Sequence, residues 1–203
     1  MGLDEANLDI TTYLQSNELT TREEIESVAE EIRTRIFEKT QLTCSCGIAC
    51  NKMLAKICTD MNKPNGQTFL PPDTEDILKF MQELPVRKIP GVGRVTEQTL
   101  QGLEIIKCSD VVEKAAEIYV AFSERSFGFL VRSALGIARN HHEEEEDDGI
   151  QKSISVSRSF RAISSKDDFI EKIRDIAEEL EKRVAKRKIG GRALTLELKN
   201  TKF

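Results

Sequence analysis

Two acids stand side by side near the start of this chain, Asp4 and Glu5 in "GLDEANLDIT", Gly2 to Thr11. Two carboxylates at a strand end or hairpin bend can hold a divalent cation such as Mg²⁺ through hard oxygens. In a regular strand neighbouring side chains face opposite ways. One of the pair is then expected to point inward, where a carboxylate is costly without positive charge beside it. An isolated adjacent Asp-Glu is far more often an ordinary exposed pair at a turn; the surrounding "LDEANLDI" pattern reduces that preference without removing it.

A second candidate is "NKMLAKICTDMNKPNG", Asn51 to Gly66. Lys52 and Lys56 lie four apart, share a helix face and repel unless an anion sits near them. A triphosphate suits such a face. Lys56 and Asp60 are also four apart, and spacing by itself favours a surface ion pair between them. The strongest local signal is "VRKIPGVGRVTEQTLQGL", Val86 to Leu103, two helical pieces around Pro90-Gly91-Val92-Gly93. Glycines there let a phosphate approach backbone N–H groups at the positive end of the second helix. Lys88 and Arg94 flank the turn. Such a helix-hairpin-helix holds a nucleic-acid backbone without reading sequence. A plain helix-helix turn also uses glycine, but the flanking basic residues put the phosphate reading ahead. Cys44, Cys46 and Cys50 match no standard zinc spacing, so they are expected as buried free thiols. His141-His142 beside an acidic run belongs to a linker.

These residues need elements to position them. Thr21-Arg22-Glu23-Glu24 has capping-box form and starts a helix with Ile25, Val28, Ala29, Ile32 and Ile36 at helical spacing. "QLTCSCGIA" reads as a strand, Asn51 to Met61 as a helix stopped by Pro64 and Gly66, and "QTFL" as a further strand. With the opening segment also extended, this is an α/β layer. From Pro71-Pro72 to Asn140 the pattern is helical in short pieces, at Thr74–Glu83, Val86–Ile89, Arg94–Leu103, Asp110–Phe122 and Phe127–Ala138. "NHHEEEEDDG" is a like-charge run that reads as a solvated linker. Beyond it "KSISVSRSF", a helix from Lys166 to Lys188, and "GGRALTLELKNTKF" form a βαβ pattern. The fold class is α+β and multi-domain.

Composition narrows the partners. The 203 residues are 39% apolar and 32% charged, the balance of a soluble globular chain. No apolar run reaches the length of a membrane helix, and no membrane partner is expected. Five cysteines without a secretory signal fit a reducing compartment. The net charge of −5 is unevenly spread: residues 150–203 carry +6 and the rest −11. A basic module on an acidic body can still grip phosphates locally. With no Trp and two Tyr, a base-stacking platform for single strands is not expected.

Taken together and in this order, "LDEANLD", "LAKICTDMNKPNGQ", "IPGVGRVTEQTLQGL" and "KSISVSRSF" resemble a Y-family, translesion DNA polymerase of the DinB and kappa branch. The resemblance covers essentially the whole chain. It implies a partial palm at 1–70, a thumb with the helix-hairpin-helix at 71–140, an acidic linker at 141–151 and a partial little finger at 152–203. Asp4 and Glu5 would hold two catalytic Mg²⁺ ions, and Lys56 would contact the incoming triphosphate. Lys88, Gly91, Gly93 and Arg94 would grip DNA. The implied partners are primer-template DNA and dNTP, with the sliding clamp and other translesion polymerases engaged through regions outside this chain. The implied location is the nucleus. The activity implied is low-fidelity DNA-directed DNA synthesis by two-metal nucleotidyl transfer. Gly2 and Asn7 depart from the serine and tyrosine of the family pattern. In the family a third metal aspartate and a fingers domain lie upstream, so the chain is expected to be an incomplete form. A non-catalytic fragment that only binds primer-template DNA is the alternative.

Overall fold

The computed structural model describes residues 4–138 and 153–199, which fall in two compact units, one within 1–142 and the other within 143–203. The expected acidic linker, with His141-His142, lies outside the described residues.

The first unit begins with an irregular stretch, Asp4 to Ile10, and a short helix α1 (Thr11–Ser16). Among the described residues the expected strand at the opening motif is not formed, since residues 4–10 carry no ladder. Helix α2 (Arg22–Thr40) starts where its capping box predicts. The Thr21 side chain accepts from the Glu24 N–H, and Glu24 Oε2 accepts from the Thr20 and Thr21 N–H groups at 2.8 and 2.9 Å. Those backbone donors hold the Glu24 carboxyl below its ordinary pKa. The helix ends at Gln41 in the left-handed region.

Strand β1 (Cys46–Ile48), helix α3 (Lys52–Met61) and strand β2 (Gln67–Phe69) form a parallel β-α-β unit, with Cys46 opposite Gln67 and Ile48 opposite Phe69. The strand expected over 41–49 shrinks to three residues because only these find a hydrogen-bonded partner; Leu42 stays exposed. Asn51 caps α3 by accepting from the Leu54 N–H at 2.9 Å. Helix and strand approach closely at Gly47, where a Cβ would lie 2.0 Å from the Ala55 carbonyl oxygen. Any larger residue at 47 pushes α3 off β1.

Helices α4 (Thr74–Gln82), α5 (Arg94–Gly102), α6 (Cys108–Glu113), α7 (Ala115–Ala121) and α8 (Glu124–Ala134) follow, with one turn of 3₁₀ helix at Val86–Lys88. The helix expected over 110–122 is two, broken at Lys114, whose ammonium donates instead to the Leu103 carbonyl at 2.9 Å. One apolar core runs through the unit. Leu54, Ile57 and Cys58 of α3 join Met81, Ile89, Leu100, Val111, Ile118 and Leu130, all nearly inaccessible to solvent. Of the five cysteines, only Cys58 and Cys108 are buried; Cys44 and Cys46 are half-buried and Cys50 is exposed, so the expectation of buried thiols holds for none of the 44-46-50 set. Burial pushes Cys58 up to about 11 and Cys108 to about 12.

The second unit is built on α9 (Lys166–Arg187), capped by the Ser165 side chain accepting from the Asp167 N–H. The strands expected on either side of it are not formed: residues 153–165 and 189–199 carry no ladder among the described residues. A strand exists only through its neighbour, and alternation cannot supply one. Phe160 packs edge-on against Phe169, ring centroids 6.3 Å apart. Helix-rich with one small sheet, the chain is α+β.

Candidate active site

The opening motif answers its own charge problem with a lysine from elsewhere in the chain. Asp4 and Glu5 are both exposed, so the expectation that one is buried does not hold. Glu5 Oε1 accepts from Lys56 Nζ, an ion pair between residues 51 positions apart. Lys56 therefore does not pair with Asp60, as spacing alone favours. Asp60 Oδ1 instead takes Lys63 Nζ at 2.6 Å. Lys56 and Asp60 lie four apart on α3 and Lys63 follows in the turn after it, a cation-anion-cation row in which Lys56 pairs with Glu5 and Lys63 with Asp60.

The electrostatics of this row are mutual. The hydrogen bond from Lys63 holds the Asp60 carboxyl below its ordinary value, and the charges of Lys63, Lys56 and Lys88 add to it. Lys63 is raised in turn, first by its hydrogen bond to Asp60 and then by the charge of Asp60, with Glu5 and Asp4 contributing. Lys63 thus sits within electrostatic reach of both acids. In the sequence "KPNG" signals a turn, and nothing in that signal marks its lysine as a site residue. The signal available was its position three residues after Asp60.

Two adjacent exposed carboxylates, one of them paired with Lys56, are the donor chemistry a hard divalent cation takes. Among the described residues no group of three or more His, Cys, Asp or Glu converges. Asp4 and Glu5 by themselves would supply only part of such an ion's oxygen shell.

The hairpin is a separate feature of the same unit. Gly91 has φ of +100°, a left-handed conformation open to glycine, and a Cβ there would lie 2.9 Å from Phe129 Cζ on α8. Gly93 is the N-cap of α5 with no side-chain cap, and a Cβ on it would meet nothing within 4 Å. Lys88 and Arg94, on either side of the turn, are both exposed. Arg87, missed in the sequence, secures the turn by donating to the Val92 carbonyl and pairing with Glu97 at 3.3 Å.

An acid pair beside a lysine of a β-α-β unit, followed in the chain by a helix-hairpin-helix, is the combination of features that resembles the Y-family. Residues 1–60 match the impB/mucB/samB family, residues 74–105 the HHH motif of the IMS family, and residues 151–203 the impB/mucB/samB family C-terminal domain. The chain belongs to this family, in its DinB and kappa branch. It is 39% identical to DNA polymerase kappa of Homo sapiens over 178 residues, covering 88% of this chain and 20% of that protein. It is also 39% identical to DNA polymerase kappa of Arabidopsis thaliana over 203 residues, covering all of this chain and 29% of the other. Among solved structures, the insertion ternary complex of Dbh DNA polymerase is similar with a TM-score of 0.56 and 32% identity, over 64% of this chain and 36% of that one. The chain spans less than a third of the length of these two kappa polymerases.

Proposed function

We propose that this chain is the catalytic-carboxylate and DNA-gripping part of a translesion DNA-directed DNA polymerase. Residues 1–70 act as partial palm, 71–140 as thumb, 141–151 as linker and 152–203 as partial little finger. The observation that carries the reading is the convergence of Glu5, Lys56, Asp60 and Lys63 beside Asp4, in a chain with a family hairpin 30 residues on.

Asp4 and Glu5 would hold two Mg²⁺. The chemistry supplied there by the bound ions is activation of the primer 3′-hydroxyl and neutralisation of phosphate charge in an in-line displacement. Lys56, which pairs with Glu5 here, would contact the triphosphate of an incoming dNTP. Lys63 adds a second cation on the same side. Lys88, Arg94 and the open N-terminus of α5 around Gly91 and Gly93 hold the DNA backbone. Dbh, a relative in structure, has been seen as an insertion ternary complex, which supports DNA and dNTP as ligands. The kappa likeness also supports a nuclear protein working with the sliding clamp and other translesion polymerases.

The test is a chimera in which residues 4–138 replace the corresponding part of Dbh DNA polymerase. Primer extension is expected with Mg²⁺ and dNTP, and Asp4→Asn or Glu5→Gln is expected to lower it by about a hundredfold or more, the scale of losing one transition-state-stabilising group. Primer-template affinity should survive both changes. Extension that persists in both variants would remove the catalytic reading and leave the DNA-binding alternative.

A further inference from the structure

A side chain on α2, outside the site, holds the site's lysine turn in place. Arg33 is half-buried and spends its guanidinium on three separate segments. Nε donates to the Cys44 carbonyl at 3.0 Å, on the approach to β1. Nη1 donates to Gln67 Oε1 at 3.2 Å, on the first residue of β2. Nη2 donates to Asn65 Oδ1 at 2.8 Å and also to the Asn65 carbonyl, in the turn between α3 and β2. Gln67 Nε2 in turn donates to the Glu26 carbonyl at 2.9 Å, back on α2. A planar guanidinium with donors in a fixed fork suits this task, and an ammonium on a flexible stem cannot span the same four acceptors on three segments.

The turn it holds is tight. The Cys46 N–H donates to the Gly66 carbonyl at 3.0 Å, and Asn62 Nδ2 to the Gln67 carbonyl at 3.2 Å. Gly66 admits no side chain, since a Cβ would lie 2.2 Å from the Asn62 carbonyl oxygen. Asn65 is in the left-handed region with φ of 51°. With Asn62, Asn65 and Gly66 each pinned, Lys63 is the residue in this turn whose charged end is turned outward, to Asp60 and the field of Asp4 and Glu5.

We infer that Arg33 is a positioning residue: by fastening the Asn62–Gly66 turn to α2 and to the start of both strands, it holds the Lys63 ammonium at Asp60 of α3. Its functional weight rests on the polymerase reading above, while the clamp itself is tested without it.

The experiment uses the 203-residue chain with ¹³C-labelled lysine. The two Hε protons of Lys63 are inequivalent while Nζ is held at Asp60, and Lys63→Ala assigns their signals. Arg33→Met is expected to merge them at the free-lysine position, Arg33→Lys to do nearly the same, and Asn65→Gly, which keeps the left-handed backbone but loses one acceptor, to narrow their separation. Unchanged Lys63 signals in a folded Arg33→Met chain overturn the inference. If that variant does not fold, unchanged signals in Asn65→Gly overturn it. Affinity for inorganic triphosphate, measured in parallel, is expected to weaken about threefold in Arg33→Met, the scale of one exposed charge pair. Equal binding by wild type and Lys63→Ala would remove the anion reading of the row and leave the clamp to be decided by the lysine signals.

Discussion

The two compact units carry similar helix signals and differ in what those helices bury. In the first unit α3 puts Leu54, Ile57 and Cys58 out of reach of solvent and joins a core that extends through Leu100, Ile118 and Leu130. In the second, α9 is well formed over 22 residues, with Asp167 and Asp168 in its first turn and Lys186 and Arg187 in its last, matching the helix dipole. Lys172–Asp175 at 3.3 Å and Glu179–Arg183 at 3.0 Å lace its surface. Yet no described residue of that unit is buried, and Leu194, Leu196 and Leu198 are each about two-thirds exposed or more. Helix formation is written locally in caps and charges; a core requires partners brought from a distance.

The largest effect that separates the units is a core truncation. Leu100→Ala is expected to cost about 2–5 kcal/mol of stability, read as a lower midpoint in urea with the slope unchanged. Ile173→Ala on half-exposed α9 should fall within about 0.5 kcal/mol. Equal losses at the two positions would erase the contrast.

A smaller effect sharpens it through pH. The Asp110 carboxylate accepts from the Lys107 and Ile106 N–H groups, each at 2.8 Å, and those bonds hold its pKa below the ordinary value. A depressed folded pKa contributes stability above the unfolded value and loses it as pH falls through the folded one. Asp110→Asn should therefore lower the melting temperature at neutral pH, with the gap to wild type closing below about pH 4. In the second unit Glu179 is likewise lowered, by its hydrogen bond and charge pairing with Arg183. Glu179→Gln should move the melting temperature less, because that pair lies on an exposed helix face. A gap for Asp110→Asn that stays constant with pH would mean the carboxylate charge is not what acts there.

What could be read from the sequence follows the same division. The Thr21–Glu24 capping box, the start of α9 at Lys166 and the hairpin at Pro90 to Gly93 are local patterns, and the helices begin and turn where those patterns place them. The strands around α9 could not be read, because alternation in "KSISVSRSF" says which side chains share a face and nothing about a neighbouring ladder. At the site, spacing favoured Lys56 with Asp60, whereas the folded chain offers Lys56 a closer acid in Glu5 and gives Asp60 to Lys63. A pairing 51 positions apart is made by the tertiary fold, which no local motif encodes. Arg33 escaped notice for the same reason: its acceptors are 11 to 34 positions away and two of them are backbone carbonyls.

The central claim is that Asp4 and Glu5 form a divalent-cation site with Lys56 as the stand-in charge. It is tested most directly by adding Mn²⁺ to the 203-residue chain in the presence of a dNTP and following paramagnetic broadening. The account predicts loss of the Asp4, Glu5 and Lys56 signals at Mn²⁺ levels that leave residues 153–199 sharp, and recovery of Lys56 in Glu5→Gln. Lys56 and Glu5 signals that stay sharp while dNTP is bound would contradict it.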